Sequence, residues 1–216
     1  MTIHIFGGGT IQHVRSHMAL CAPARGKTAR ALKSELTRRG WLDVRLHETS
    51  MANPDSSMET NQDVEARLRE VLADQNTRAI VFNVALCDFE GSIGDVPSGK
   101  YAERLQTRAV EADGLQMTLR PAPKLLGLIR ALRPDVVSVG FKTTADQSPQ
   151  VQLERAARMA GESGITWVLA NDVVTRNNLV VAGADCRLEA ARYAGTDREA
   201  ALDALCSALL ETLRHG

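Results

Sequence analysis

The stretch Ala79-Ile-Val-Phe-Asn-Val-Ala-Leu86 is the most apolar segment of the chain. Its length and unbroken apolar character predict a central strand buried on both faces, as in a parallel sheet that helices cover on each side. Shorter apolar runs lie along the chain at residues 3–6, 44–47, 136–142 and 165–172. We expect them to be further strands of the same sheet.

Segments with the periodicity of amphipathic helices separate these predicted strands. Residues 26–39 place Ala29, Leu32 and Leu36 on one face, and comparable patterns occur at residues 124–133 and 149–161. The alternation predicts an α/β fold, a doubly wound, Rossmann-like and mostly parallel sheet with helices on both faces. We expect residues 1–216 to form a single nucleotide-binding domain.

Several finer features follow from the same patterns. Runs at residues 179–182 and 188–193 predict a small β-hairpin extension, and residues 115–119 alternate like a half-buried strand. The helix at 124–133 should turn Leu125 and Leu132 inward. Thr196-Asp-Arg-Glu199 has the spacing of a capping box and predicts the start of a last helix. Residues 88–114 have no clear period, which is typical of a long functional or mobile loop.

The composition is that of an ordinary globular protein. The chain has 216 residues, 44% of them hydrophobic, and its 26 basic and 26 acidic side chains give a formal net charge of zero. Nucleic-acid binding usually needs a basic excess, so the sequence predicts no such partner. No run approaches ~18 apolar residues, so we expect no membrane partner. The first residues do not resemble a signal peptide, and the scattered cysteines are typical of reduced thiols, which predicts a cytoplasmic location.

Polar residues follow four of the predicted strands, where ligands bind in doubly wound sheets. These segments are Gly7-Gly8-Gly9-Thr10, Asn83 to Asp88, Gly140-Phe141-Lys142 and Ala170-Asn171-Asp172. The triple glycine offers unhindered N–H donors to a phosphate, although it would also suit a tight turn. Asp88 is either a metal- or phosphate-organising acid or a turn residue. Lys100, in a glycine-flanked loop, is either solvated or able to fold over a phosphate site.

Two other motifs have alternative interpretations. Cys21-Ala-Pro-Ala-Arg-Gly-Lys-Thr28 is similar to a P-loop, with cysteine in place of the first glycine and without a convincing strand before it. The helix start at Arg25-Gly26-Lys27 remains an anion site on dipole grounds. His13 and His17 have the spacing of a zinc-binding pair, but no third ligand is evident, which favours a solvated surface.

The strand-end motifs, taken in order, resemble those of a known family. They are Gly7-Gly-Gly-Thr10, His13-Val-Arg15, Arg25-Gly26-Lys27, Val84-Ala-Leu-Cys-Asp-Phe89, Lys100, Pro123-Lys-Leu-Leu126, Val139-Gly-Phe-Lys142 and Leu169-Ala-Asn-Asp172. The chain therefore resembles phosphopantothenoylcysteine synthetase, the ligase domain of coenzyme A biosynthesis, over nearly its whole length. It is more similar to the stand-alone eukaryotic type than to the bacterial fusion with a flavin decarboxylase.

The resemblance implies an activity, cofactors and a set of site residues. The family joins 4′-phosphopantothenate to cysteine through an acyl-nucleotidylate, with CTP or ATP, Mg²⁺ and a homodimer. Small-molecule acid and amine substrates are therefore expected. Nucleotide-binding residues would be Gly7, Gly8, Gly9, Thr10, Ala85, Phe141, Lys142, Asn171 and Asp172. Acid-substrate binding would fall to Arg25, Gly26 and Lys27, and catalysis to Lys100 and Asp88, with Asp88 also placing the metal.

The chain departs from the family pattern at three places. Ala22 stands where the family has an asparagine that serves the attack of cysteine, and Thr143-Thr144 replaces an acidic residue. The lysine-rich loop is reduced to Lys100 with Arg104 nearby. The alternatives are therefore an altered-substrate paralogue, a non-catalytic nucleotide-binding module, and a P-loop kinase or NTPase built on Gly26-Lys27-Thr28.

Overall fold

Strands and helices alternate along the chain in the computed structural model, which describes residues 1–106, 108, 110 and 114–215. In these residues the strands are β1 (Thr2–Gly9), β2 (Ile11–Arg15), β3 (Met18–Cys21), β4 (Val44–Glu48), β5 (Thr77–Ala85), β6 (Phe89–Ser92), β7 (Thr118–Pro121), β8 (Val137–Thr144), β9 (Trp167–Asp172), β10 (Asn178–Ala182) and β11 (Tyr193–Gly195). The helices are α1 (Lys27–Arg38), α2 (Asn61–Ala73), α3 (Gly127–Leu132), α4 (Pro149–Ser163) and α5 (Arg198–His215). A short 3₁₀ helix spans Leu188–Ala190.

The central sheet confirms the predicted α/β architecture. Its seven strands lie in the order β11-β10-β9-β8-β5-β1-β4. The pairs from β4 to β9 are parallel, whereas β10 is antiparallel to both β9 and β11. The antiparallel β10–β11 pair is the hairpin extension that the sequence predicts, with β11 beginning only at Tyr193. The parallel part has the doubly wound order with its topological switch point between β1 and β5.

Helices cover both faces of this sheet, as predicted. On one face α1 and α5 pack against Ile3, Val81 and Val139. On the other, α2 and α3 pack against Phe6 and Phe82, and α4 packs against β9 and β10. The central strand β5 contributes alternate side chains to both clusters, which is why its sequence is apolar throughout.

The start of the chain differs from the predicted strand and glycine turn. β1 continues through Gly9, paired with β5 as far as Ala85, so the triple glycine is strand rather than turn. The predicted turn is therefore wrong, because a glycine without a side chain gives no period-2 signal. Residues 11–21 then form the β2–β3 hairpin, which their polar sequence did not indicate.

Three finer expectations also differ. Residues 115–119 are exposed, and the strand there is β7, which pairs with β6 in a two-stranded ribbon outside the central sheet. Leu132 is 44% exposed because α3 ends at that residue, while Leu125 is buried as predicted. The carboxylate of Asp197, not Thr196, accepts hydrogen bonds from the N–H groups of Glu199 and Ala200 and so caps α5. The predicted loop at 88–114 includes residues 107, 109 and 111–113, which lie outside the described residues.

Candidate functional site

A large cleft lies over the carboxyl ends of the central strands. It has a volume of about 1240 Å³ and is lined by Gly8 of β1 and by residues 82–86 of β5 and its end. These two strands flank the switch point, where two neighbouring connections leave the sheet in opposite directions and open a crevice. The start of α1 closes one side, and residues 124–126 before α3 together with residues of α4 line the other.

Nine of the predicted site residues line this cleft together. They are Gly8, Arg25, Gly26, Lys27, Ala85, Asp88, Phe141, Lys142 and Asn171. Their sequence positions span most of the chain, and the parallel strands bring their ends to one edge of the sheet. The structure thus brings together residues from four strand ends and from the start of α1.

Glycine is needed at two of these positions. Gly8 has φ of 104° and Gly26, the residue before α1, has φ of 69°, and side chains rarely adopt either conformation. An added Cβ at Gly26 would lie 2.7 Å from the carboxylate oxygen of Glu48. The two residues therefore let the β1 tip and the start of α1 both pack closely against residues 48–52.

Gly7, Gly9 and Thr10 do not line the cleft. A Cβ at Gly7 would collide with Ala29 of α1, and one at Gly9 with the carbonyl of Ala22. Thr10 is fully buried, and its hydroxyl donates to Asn61 at 2.6 Å while accepting from the N–H of Cys87 at 2.8 Å. These three residues serve packing and the connection between β1 and the end of β5. Their role in nucleotide binding stays a prediction.

Asp172 is also turned away from the cleft. Its buried carboxylate accepts hydrogen bonds from Thr144 Oγ1 at 2.8 Å and from four backbone N–H groups, those of residues 146, 147, 174 and 175, at 2.8–3.0 Å. Burial alone would raise the pKa of Asp172, but these hydrogen bonds, with that of Thr175 foremost, lower it well below its ordinary value. The carboxylate thus holds two turns beyond β8 and β9 in place.

Lys100 lies in a separate depression of about 430 Å³ beside the β2–β3 hairpin. Its ammonium group donates to Glu59 Oε2 at 2.6 Å, and His13 Nε2 lies 3.4 Å from the same oxygen. The hydrogen bond from Lys100 lowers the pKa of Glu59. The structure therefore does not bring Lys100 together with the residues of the cleft.

No group of three or more histidine, cysteine, aspartate or glutamate side chains able to hold a metal occurs in the part of the chain that the structure describes.

Within the cleft, Asp88 pairs with Lys124 rather than Lys100. Lys124 Nζ lies 2.5 Å from Asp88 Oδ1, and both side chains are exposed. An exposed ion pair contributes little to stability, so both charges remain free to reorganise around a ligand. Lys124 belongs to a motif that the sequence singled out, but no role was assigned to it there.

Positive charge dominates the lining of the cleft. Seven lining side chains are basic and two, Asp88 and Glu162, are acidic. The basic ones are Arg25, Lys27, Lys124, Lys142, Arg155, Arg158 and Arg198. Sequence patterns did not indicate Arg155, Arg158 or Arg198, because these lie on helices that only the tertiary fold brings to the strand ends. A cleft with this excess attracts anions.

Arg198, the first residue of α5, is half-buried at the α1 side of the cleft. Its Nη1 donates to Asn178 Oδ1 at 2.9 Å and its Nη2 to Thr28 Oγ1 at 3.4 Å. Burial lowers the pKa of Arg198. Asn83, Thr143 and Asn171 add uncharged polar groups to the lining, with Thr143 Oγ1 3.3 Å from Asn171 Oδ1.

The P-loop interpretation does not agree with the topology. Residues 21–28 begin at the last residue of β3, which pairs with β2 in a hairpin outside the central sheet. A P-loop requires a strand of the parallel sheet directly before it. The start of α1 nevertheless lines the cleft, as do Ala22 and Thr28.

Among the described residues, no helix is long and apolar enough to cross a membrane.

The fold and this cleft define a doubly wound α/β protein with a cationic crevice at its switch point. No protein-family model matches the sequence, and no curated protein matches it. The DNA/pantothenate metabolism flavoprotein from Streptococcus pneumoniae has a similar structure, with a TM-score of 0.73 at 15% identity, over 100% of this chain and 99% of that one.

Two further solved structures are similar. A Cab2 histidine-to-alanine mutant in complex with phosphopantothenate-cysteine matches with a TM-score of 0.67 at 13% identity, over 99% of this chain and 86% of that one. The C-terminal domain of the coenzyme A biosynthesis bifunctional protein CoaBC matches with a TM-score of 0.64 at 14% identity, over 99% and 94%. The chain therefore has the fold of the phosphopantothenoylcysteine synthetase domain. The resemblance inferred from its motifs is confirmed at the level of the fold.

Proposed function

We propose that this chain is a nucleotide-dependent acid–amine ligase similar to phosphopantothenate–cysteine ligase. The observation that carries the proposal is the cationic cleft at the switch point of β1 and β5. Support comes from the fold shared with Cab2, which was solved with phosphopantothenate-cysteine, and with a domain of a coenzyme A biosynthesis protein. The substrates would be a small phosphorylated acid and an amine, with CTP or ATP as co-substrate.

The proposed reaction has two steps. A carboxylate oxygen attacks the α-phosphorus of the nucleotide and pyrophosphate leaves, which gives an acyl-nucleotidylate. The amine nitrogen then attacks the acyl carbon, loses a proton and expels the nucleoside monophosphate. Neither step needs a nucleophilic side chain, and both need positioning and stabilisation of negative charge. The lining lysines and arginines supply that charge stabilisation, and the half-buried Phe141 and Asn171 would bound the nucleotide.

Mg²⁺ is part of the proposal, and Asp88 is the residue that would hold it. A magnesium ion in a nucleotide site usually takes one or two carboxylates and completes its shell with phosphate oxygens and water. An exposed carboxylate in the cleft fits this requirement, since Lys124 can move from Asp88 to the phosphates. The ion would neutralise charge on the phosphate chain when bound.

The catalytic role of Lys100 depends on a second part of the proposal, the homodimer. Lys100 lies outside the cleft of its own chain, so it would act on a neighbouring subunit or after leaving Glu59. The β6–β7 ribbon exposes Phe89 and Leu119 by 45% and 49% and offers an apolar contact surface. Sedimentation analysis of Leu119→Asp against the unchanged chain tests this: a dimer that the substitution does not weaken would contradict the assigned surface.

The central experiment follows pyrophosphate and product mass. The full chain is incubated with Mg²⁺, CTP or ATP, and 4′-phosphopantothenate, with and without cysteine. Pyrophosphate release that requires the acid, together with an amide product that requires cysteine, is the expected result. Absence of nucleotide binding and of pyrophosphate release with every acid offered would refute the proposal.

A second function, nucleotide binding without ligation, is favoured by Ala22. This residue lines the cleft, where the resemblance leads us to expect an asparagine that orients the acyl intermediate. A methyl group cannot donate or accept a hydrogen bond, and loss of such a group costs roughly 2–4 kcal/mol of transition-state stabilisation. Pyrophosphate release without an amide product would favour this alternative. An Ala22→Asn variant that then forms the amide would confirm that the missing side chain is the cause.

A further inference from the structure

Arg198 carries a charge that the described residues do not balance. Its two hydrogen-bond acceptors, Asn178 Oδ1 and Thr28 Oγ1, are uncharged, and the second lies at 3.4 Å. In the described part of the chain, no carboxylate lies within 4 Å of the guanidinium. A half-buried cation without a counter-ion is unusual, because burial removes water without supplying an opposite charge.

The acidic side chains nearest in sequence have other partners or point elsewhere. Asp197 caps α5 through hydrogen bonds from the N–H groups of Glu199 and Ala200. Neither Asp197 nor Glu199 lines the cleft, and both are exposed. Glu48, at the end of β4, pairs with Arg30. These carboxylates therefore do not compensate Arg198.

Further positive potential converges on the same place. Lys27 and Thr28 form the first turn of α1, and both line the cleft with Arg198. The first turn of α1 contains no acidic residue, and Gly26 provides no side-chain cap for its N–H groups. A guanidinium and an ammonium group thus line the cleft beside the uncapped start of α1.

We propose that Arg198, with Thr28 and Lys27, forms a subsite for a phosphate group of the ligand bound in the cleft. A guanidinium has five N–H donors in a planar fork, and the contacts to Asn178 and Thr28 leave several free for phosphate oxygens. The inference rests on the proposed function, because that function supplies a phosphorylated ligand. The phosphate could belong to the nucleotide or to the acid, and both present the same chemistry.

The test measures binding to the full chain by titration calorimetry. The probes are inorganic pyrophosphate, CTP with cytidine, and 4′-phosphopantothenate with pantothenate. Arg198→Gln should weaken binding of pyrophosphate and of a phosphorylated probe roughly tenfold to hundredfold, the range for a charge-assisted hydrogen bond. Arg198→Lys should keep part of the affinity, since it keeps the charge and loses the fork. Arg214→Gln removes the same charge at the exposed last turn of α5 and should change nothing.

The pairs of probes identify the source of the phosphate. If Arg198→Gln weakens CTP and not 4′-phosphopantothenate, the subsite holds the nucleotide phosphates, and the reverse result assigns it to the acid. Cytidine and pantothenate, which lack the phosphate, should bind the variant and the unchanged chain alike. A variant whose affinity for cytidine or pantothenate falls as much as its affinity for CTP or 4′-phosphopantothenate would contradict a phosphate subsite.

A purely structural role of Arg198 makes a different prediction. If the residue only ties α5 to β10 through Asn178, Arg198→Gln would lower the melting temperature without ligand and leave affinity unchanged. The subsite predicts an unchanged or raised melting temperature, because an uncompensated charge is removed, together with a smaller stabilisation by pyrophosphate. Should the glutamine variant not fold, equal pyrophosphate affinity of Arg198→Lys and the unchanged chain would overturn the proposal.

The outcomes separate this inference from the proposed function. Nucleotide and acid binding that do not depend on Arg198 would refute the subsite and leave the ligase proposal intact. Pyrophosphate binding that depends on Arg198, without binding of any nucleotide or acid, would support the subsite and refute the ligase. Failure of the unchanged chain to bind any phosphorylated probe would refute both.

Discussion

Acid destabilisation through a pair of histidines, one buried and one half-buried, is the sharpest prediction of the fold. His4 of β1 and His47 of β4 lie on neighbouring strands, with His4 Nδ1 2.8 Å from His47 Nε2. The Thr77 hydroxyl donates to the carbonyl of Val71 and so accepts from His4 Nε2–H, at 3.3 Å. His4 Nδ1 then has no proton and accepts from His47 Nε2–H. A proton on His4 Nδ1 would place two N–H groups against each other.

The environment opposes protonation of His47 as well. Burial is the main cause, followed by His4 and the charges of Arg67 and Arg45, and together they lower the pKa of His47 from 6.5 to about 3. Burial also lowers the pKa of His4. The unfolded chain therefore binds more protons than the folded chain as pH falls below about 6.5. Stability is fully present above that pH and is lost progressively toward the folded-state pKa of His47.

The expected magnitude follows from linkage. At pH 5 His47 is protonated in the unfolded chain and neutral in the folded chain. The free energy of unfolding therefore falls by about 1.4 kcal/mol for each of the ~1.5 pH units below the unfolded pKa, which amounts to about 2 kcal/mol. His4 acts in the same direction. Carboxylates contribute little above pH 5, because they are mainly ionised in both states there. The window from pH 7.5 to 5 therefore isolates the histidines.

The assay is urea unfolding at pH 7.5, 6 and 5 at constant ionic strength. His47→Gln should remove about 2 kcal/mol of the loss between pH 7.5 and 5. The matched control His17→Gln changes an exposed histidine in the turn between β2 and β3 and should keep the pH dependence of the unchanged chain. An unfolding free energy that is flat across this window, or a His47→Gln variant with an unaltered slope, would show that the pair does not act as argued.

Three further predictions test packing and charge. Asp172→Asn should lower the melting temperature by several degrees, because an amide cannot accept the five hydrogen bonds that the carboxylate now receives; an unchanged melting curve would contradict the assigned role. Gly9→Ala should destabilise the fold by roughly 1–3 kcal/mol, because its Cβ meets the Ala22 carbonyl, whereas Gly99→Ala, with open space around it, should be neutral in the same denaturant titration. Lys124→Ala should weaken CTP binding roughly tenfold or more by calorimetry, and Lys33→Ala on the exposed side of α1 should not. Equal affinities of the two lysine variants would remove Lys124 from the site.

The layers of the fold could be predicted from sequence because apolar periodicity reports burial directly. β5 is apolar along its length because helices pack on both of its faces. The triple glycine Gly7-Gly8-Gly9 has no apolar periodicity from which burial could be predicted. Gly7 and Gly9 lack side chains because α1 and the backbone of Ala22 occupy the space where a Cβ would lie. Only tertiary packing distinguishes a strand of this kind from a turn.

The site could be predicted only in part, for a similar reason. Residues at strand ends, such as Ala85 and Phe141, could be assigned to the cleft because parallel strands deliver their ends to one edge. Loop residues could not. Lys100 is much nearer to Asp88 in sequence than Lys124 is, yet Lys124 pairs with Asp88 and Lys100 pairs with Glu59. Sequence spacing does not determine which way an irregular segment folds back.

Arg198 could not be assigned to the cleft from the sequence, because no local sequence pattern marks it. It lies 170 residues from Thr28, its partner in the cleft, and at the start of an ordinary amphipathic helix. The net charge of the whole chain does not indicate the cationic cleft either. The chain is formally neutral, while its cleft has seven basic lining residues and two acidic ones, so compensating acidic groups must lie elsewhere on the molecule. Such a separation of charge directs an anion toward the crevice over a distance set by ionic strength, about 8 Å at physiological salt. Net charge is therefore a weak guide to the ligand of this fold, and the local field at the strand ends is the relevant quantity.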